Sequence, residues 1–126
     1  MVVSLVDSSI VIDILRSYPA SLTWLQSQNQ KVGLTRYVWL EVLEGCRNKQ
    51  EQKAAIRVLD KFDLVSITNN DIEWAVAAFL QHYLKSNTDP FDCLIAATNH
   101  RLQVPLYTRN LKHFKPLLGV LAQKPY

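Results

Sequence analysis

Four short runs rich in β-branched residues recur along the chain: VVSLV (2–6), KVGLT (31–35), LVSIT (64–68) and VPLYT (104–108). Each interval between them is long and carries helical rather than alternating periodicity. Strands joined through helices cannot be hairpin partners; they pair in parallel through crossovers and need both faces covered. The order βααβααβααβ follows, with LGVLA (118–122) as a further edge strand. The expected architecture is α/β, one three-layer α/β/α domain with a parallel sheet of four to five strands.

The intervals fill in as helices from their apolar stripes. SSIVIDILRS places Ile10, Val11, Ile14 and Leu15 on one face, and Pro19 with Ser21 suits the start of PASLTWLQSQ. RYVWLEVLEGC aligns Val38, Trp39, Val42, Leu43 and Cys46. Further helices are expected over 49–61, in NNDIEWAVAAFLQHYLK and in DPFDCLIAATNHRL. Trp24, Trp39, Trp74 and Phe79 suit the core faces of these helices better than base stacking. At 126 residues and 48% hydrophobic, the chain suits one domain spanning residues 1–126.

Composition excludes little else. The start MVVSLVDSS lacks a basic flank and a long apolar region, so neither a signal peptide nor a membrane span is expected. Cys46 and Cys93 lack metal-type spacing and form no disulfide framework pattern, so a reducing, cytoplasmic home is expected. The net charge of +3 is compatible with a polyanionic partner without requiring one.

The segment NTDPFDCLIAATNH holds the candidate chemistry. Asp89 before Pro90 opens a helix, since the carboxylate accepts a backbone N–H and proline occupies the first position, where no donor is needed. Asp92 then falls at the third helical position, against the positive end of the dipole. Capping accounts for both residues locally. In a parallel sheet, however, the start of this helix and the end of strand 104–108 share a rim, which brings Asp92 toward Thr108 and Asn110. Asp7 ends the first strand at that same carboxyl rim, where open α/β sheets bind ligands. Glu41 joins from the helix after the second strand, at the edge of an apolar stripe, with Glu44 as its competitor.

LVDSSIVIDIL, EVLEG, DCLIAATNH and LYTRNLKHF, in that order, resemble the PIN-domain ribonucleases, especially the VapC-like toxins of bacterial toxin–antitoxin pairs. The resemblance covers nearly the whole chain. It implies a PIN-like fold and a metal-dependent endoribonuclease, with Asp7, Glu41 and Asp92 at the positions of the family's first three acids. Ser8, Thr108 and Asn110 take the place of polar support. It also implies an RNA substrate, a cognate antitoxin and a homodimer. One departure stands out: a further acid, common in the family after the last motif strand, is replaced by His113 or Asn110. Either Asp89 supplies that charge or the second metal position is weakened.

Hard oxygen donors at a rim suit Mg²⁺ or Mn²⁺, which keep waters and leave room for substrate phosphate. Asp7, Glu41 and Asp92, with Asp89 as a further donor, form the expected metal site. His82, His100 and His113 form no zinc pattern. Arg109 and Lys112 are the expected contacts to RNA phosphate. The alternative class is a catalytically weak or inactive PIN-like domain that binds RNA or a protein, motivated by the absent fourth acid. A phosphoacceptor receiver fares worse, because LVSIT does not end in the necessary acid.

Overall fold

The computed structural model describes residues 1–126 and contains the parallel sheet. Its strands are β1 (Ser4–Val6), β2 (Val32–Thr35), β3 (Asp63–Val65), β4 (Leu106–Tyr107) and β5 (Ala122–Gln123), in the spatial order β3-β2-β1-β4-β5. All four pairings are parallel. Register is set by Leu5 opposite both Gly33 and Leu106, so β1 is central. Gly33 is needed there: a Cβ would meet the Val2 and Val65 side chains at 2.9 Å each.

Helices α1 (Ser8–Leu15), α2 (Pro19–Ser27), α3 (Arg36–Glu44) and α4 (Lys49–Leu59) form one packed group. Helices α5 (Asn69–Ser86), α6 (Pro90–Leu102) and α7 (Leu111–Leu118) form another. The core lies between, built on Leu5, Val6, Ile10, Val11, Leu34, Val38, Leu106 and Phe114, all at most 2% exposed. Trp24, Trp39 and Trp74 pack on this core, while Phe79 joins a smaller cluster around Ala75, Ala78, Cys93 and Ala97. No helix is long and apolar enough to cross a membrane.

Three local differences from the sequence reading have physical causes. The third strand stops at Val65 instead of reaching Thr68. The Ser66 carbonyl accepts from Arg101, and Thr68 caps α5 in a reciprocal box with Asp71, so this backbone serves other partners. Residues 111–118 form a further helix, α7, with Pro116 inside it. The middle of LGVLA is a 3₁₀ turn over Gly119–Leu121, entered with Gly119 at φ +58°, and only Ala122–Gln123 pair as the edge strand.

The topology has one reversal. From β1 the chain steps through β2 to β3, then crosses back over β1 to reach β4. The switch point therefore lies between the carboxyl ends of β1 and β4, the crevice where such sheets bind ligands.

Candidate active site

Asp7 leaves β1 at that crevice and caps α1. Its carboxylate accepts from the Ser9 N–H at 3.0 Å, from the Ser9 hydroxyl, and from the Thr108 hydroxyl at 2.6 Å. The last bond ties β1 to the residue that follows β4, so the two sides of the switch point are joined through this acid. Asp7 is 3% exposed, and burial holds its pKa above the ordinary range although the Ser9 and Thr108 bonds pull the other way. The bonding serine is Ser9, not the expected Ser8. Ser9 is the second helical residue, whose N–H an N-cap carboxylate reaches.

Asp92 occupies the first turn of α6, after Asp89 as N-cap and Pro90 at the first position. The Asp89 carboxylate accepts from the Phe91 N–H at 2.7 Å, as the capping reading expects. Asp92 has a different environment. Burial raises its pKa, the charges of Asp89 and Glu41 raise it further, and His113 only partly offsets them, leaving it at about 6. The His113 Nδ1 lies 3.4 Å from Asp92 Oδ2. The residue at the position of the absent fourth acid therefore faces Asp92 directly.

Glu41 is exposed on α3 and shares a groove with Tyr37, Leu40, Glu44, Asp89, Phe91 and Ile95. Contact between α3 and α6 carries it toward Asp92. Of the two competing glutamates, Glu41 is the one whose charge acts on Asp92. A second cleft, of about 640 Å³, is formed by Ser86, Asn87, Thr88, Asp89, Asp92, Lys112, His113 and Pro116. Lys112 thus lines the same cleft as the two aspartates.

The remaining expected residues divide. The Thr108 hydroxyl, while donating to Asp7, accepts from the Asn110 N–H at 2.9 Å; Asn110 contributes its backbone there, and its side chain makes no capping bond to α7. Arg109 was expected to offer its guanidinium to phosphate. That group is already engaged, with Asp13 at 3.0 Å and over the Tyr18 ring at 5.0 Å.

The groups fall into two sets: Asp7 with Ser9 and Thr108 at the switch point, and Asp92 with Asp89, Glu41 and His113 at the start of α6. No three His, Cys, Asp or Glu side chains already converge as a closed metal shell. The donor chemistry nevertheless fits a hard divalent cation. The acids offer oxygen, and the burial and like-charge crowding that lift the Asp92 pKa are costs that a cation relieves. The nitrogen of His113 is the softer exception.

The PIN domain family model matches residues 4–115, from β1 into α7. This chain belongs to the PIN-domain family. A curated relative, Ribonuclease VapC19 of Mycobacterium tuberculosis, is 30% identical over 127 aligned residues, covering 97% of this chain and 98% of that protein. Among solved structures, a toxin–antitoxin complex from Klebsiella pneumoniae contains a chain similar at TM-score 0.80 and 23% identity, covering 98% of each chain. VapBC2 from Rickettsia felis, bound to a promoter DNA fragment, is similar at TM-score 0.76 and 18% identity, covering 91% of this chain and 92% of that one. At these identities the structures bear on the PIN fold alone.

Proposed function

We propose that this PIN-domain protein is an endoribonuclease that hydrolyses RNA phosphodiester bonds with Mg²⁺ or Mn²⁺, and that it is the toxin of a toxin–antitoxin pair. The observation that carries the reading is Asp92, a part-buried carboxylate in the first turn of α6 crowded by Asp89 and Glu41. Membership of the PIN family and the VapC ribonuclease relative support the same activity.

Asp7, Glu41 and Asp92 would hold the cation, with Asp89 as a further donor. When bound in such a site, a divalent cation neutralises phosphate charge and lowers the pKa of a coordinated water. The chain's own residues do the rest. Ser9 and Thr108 fix both Asp7 oxygens, so this ligand is oriented before anything binds. Lys112 presents a positive charge to RNA phosphate within the cleft of Asp89 and Asp92. His113 opposes the Asp92 charge from the other wall.

The neutralising partner is an antitoxin protein that brings a basic side chain to the acidic cleft. The protein acts in the cytoplasm as a homodimer. The alternative, a weak or inactive PIN domain that binds RNA or protein, is favoured by two features: His113 stands where a fourth acid is common, and no closed metal shell is preformed. Purified protein distinguishes the two. Cleavage of a fluorogenic RNA that requires Mn²⁺, stops with chelator and is lost in Asp92→Asn is expected; cation-independent cleavage, or none, rejects the proposal.

A further inference from the structure

Arg109 directly follows the threonine that bonds Asp7, and it is held at both ends. Its backbone N–H donates to the Ser9 hydroxyl at 3.0 Å, and that hydroxyl donates to Asp7. Its guanidinium donates to Asp13 Oδ2 at 3.0 Å and lies over two rings, Tyr18 at 5.0 Å and Tyr126 at 5.8 Å. The Tyr126 hydroxyl donates to the same Asp13 oxygen at 2.7 Å. Burial and the Asp13 carboxylate raise the Tyr126 pKa, so the phenol stays protonated as the donor this bond needs. Tyr126 in turn packs against Tyr18 and Trp24, with ring centroids 5.9 and 6.4 Å apart.

We infer that Arg109 and Tyr126 form a clasp on Asp13 that positions Asp7, so that Arg109 is a positioning residue rather than a contact to RNA phosphate. The inference rests on the proposed role of Asp7 as a metal ligand. The route is short and continuous. Asp13 lies on α1, the helix that Asp7 caps, and the clasp anchors Arg109 to that helix. With Arg109 anchored, the segment Thr108–Asn110 is held where Thr108 meets one Asp7 oxygen and Ser9 meets the other. A planar cation lying over two aromatic rings and bonded to a largely buried carboxylate is a stiff joint, and a compact ammonium would lose much of the contact with the rings. Asp13 is 16% exposed at its side chain, against 38% for Arg109, so this pair is better shielded than an open surface bridge.

The test uses the full chain and two variants. Tyr126→Phe removes only the hydroxyl, and Arg109→Met removes the guanidinium while keeping aliphatic volume. Amide exchange followed by NMR should speed up about five-fold for the Arg109 and Asn110 N–H groups in each variant, with the Leu5 N–H of β1 unchanged. Mn²⁺ affinity should weaken by a similar factor and kcat should fall, while KM for RNA stays constant. Unchanged exchange at Arg109 and Asn110, or equal acceleration at Leu5, overturns the clasp. So does local acceleration without any change in Mn²⁺ affinity, since Asp7 would then not depend on it. A raised KM and a shallower salt dependence in Arg109→Met, at parental Mn²⁺ affinity, would restore the phosphate contact and overturn the inference. If the parent itself binds no Mn²⁺, the ribonuclease reading fails, and the exchange rates alone still decide the clasp.

Discussion

Replacing Asp92 by Asn should make the cation-free protein more stable while removing its activity. The folded pKa of about 6 stands above the ordinary carboxylate value of 3.8, first through burial and then through Asp89 and Glu41. Between those values the folded state binds protons that the unfolded chain has released. Stability therefore declines as pH rises from about 4 through 6, and the full penalty is present above that window. A displacement of about 2 in pKa corresponds to roughly 3 kcal/mol. Residual contact with water, and the lost attraction of an acid for the helix N-terminus, reduce the expected gain to about 1–2 kcal/mol. The amide is close to isosteric and carries no charge, so it escapes the penalty at pH 8. Urea unfolding in chelator should show Asn above the parent by that amount at pH 8, with the gap closing near pH 4, where both side chains are neutral. Adding Mn²⁺ should stabilise the parent and leave Asp92→Asn nearly unmoved. An Asn variant less stable than the parent at pH 8, or a gap independent of pH, would refute the account of Asp92.

Other substitutions probe the remaining parts. Lys112→Gln should raise KM for RNA and lower the salt dependence by about one charge, with kcat little changed, as steady-state cleavage at several salt concentrations will show. His113→Asp should lower cation-free stability, because it replaces the imidazole facing the crowded Asp92 with another carboxylate, and raise cleavage in Mg²⁺ more than in Mn²⁺. Rates in both metals and unfolding in chelator measure the two effects. Arg101→Met should cost about 1–3 kcal/mol in urea unfolding, since it strips the bonds at 2.9 and 3.1 Å from the Asp71 carboxylate, which is only 2% exposed.

The fold was largely legible because its signals are periodic. The strand runs and helical intervals of the sequence become β1 to β4 and α1 to α6, and the parallel arrangement follows from crossover length. What escaped was decided by tertiary partners. Arg101 reaches from α6 to the Ser66 carbonyl and shortens β3, a contact between residues far apart in sequence. Helix α7 carries Pro116 within its eight residues, and an internal proline argues against a helix when only the sequence is read. At the site, the sequence placed Asp7 and Thr108 at one rim, and the structure joins them by a hydrogen bond. Capping geometry favours the second helical N–H and so points to Ser9, whereas the family resemblance implies Ser8. The engagement of Arg109 by Asp13, Tyr18 and Tyr126 had no local signature, because its partners come from both ends of the chain.

The central claim is that one divalent cation sits between the carboxylates at the switch point of the sheet. Crystals soaked in Mn²⁺ and measured at the manganese absorption edge test it directly. The account predicts an anomalous peak at the rim, liganded by oxygens of Asp7 and Asp92, with Glu41 or Asp89 completing the protein's share. A fully soaked crystal with no peak there, or with Mn²⁺ held only at other surface acids, would contradict it.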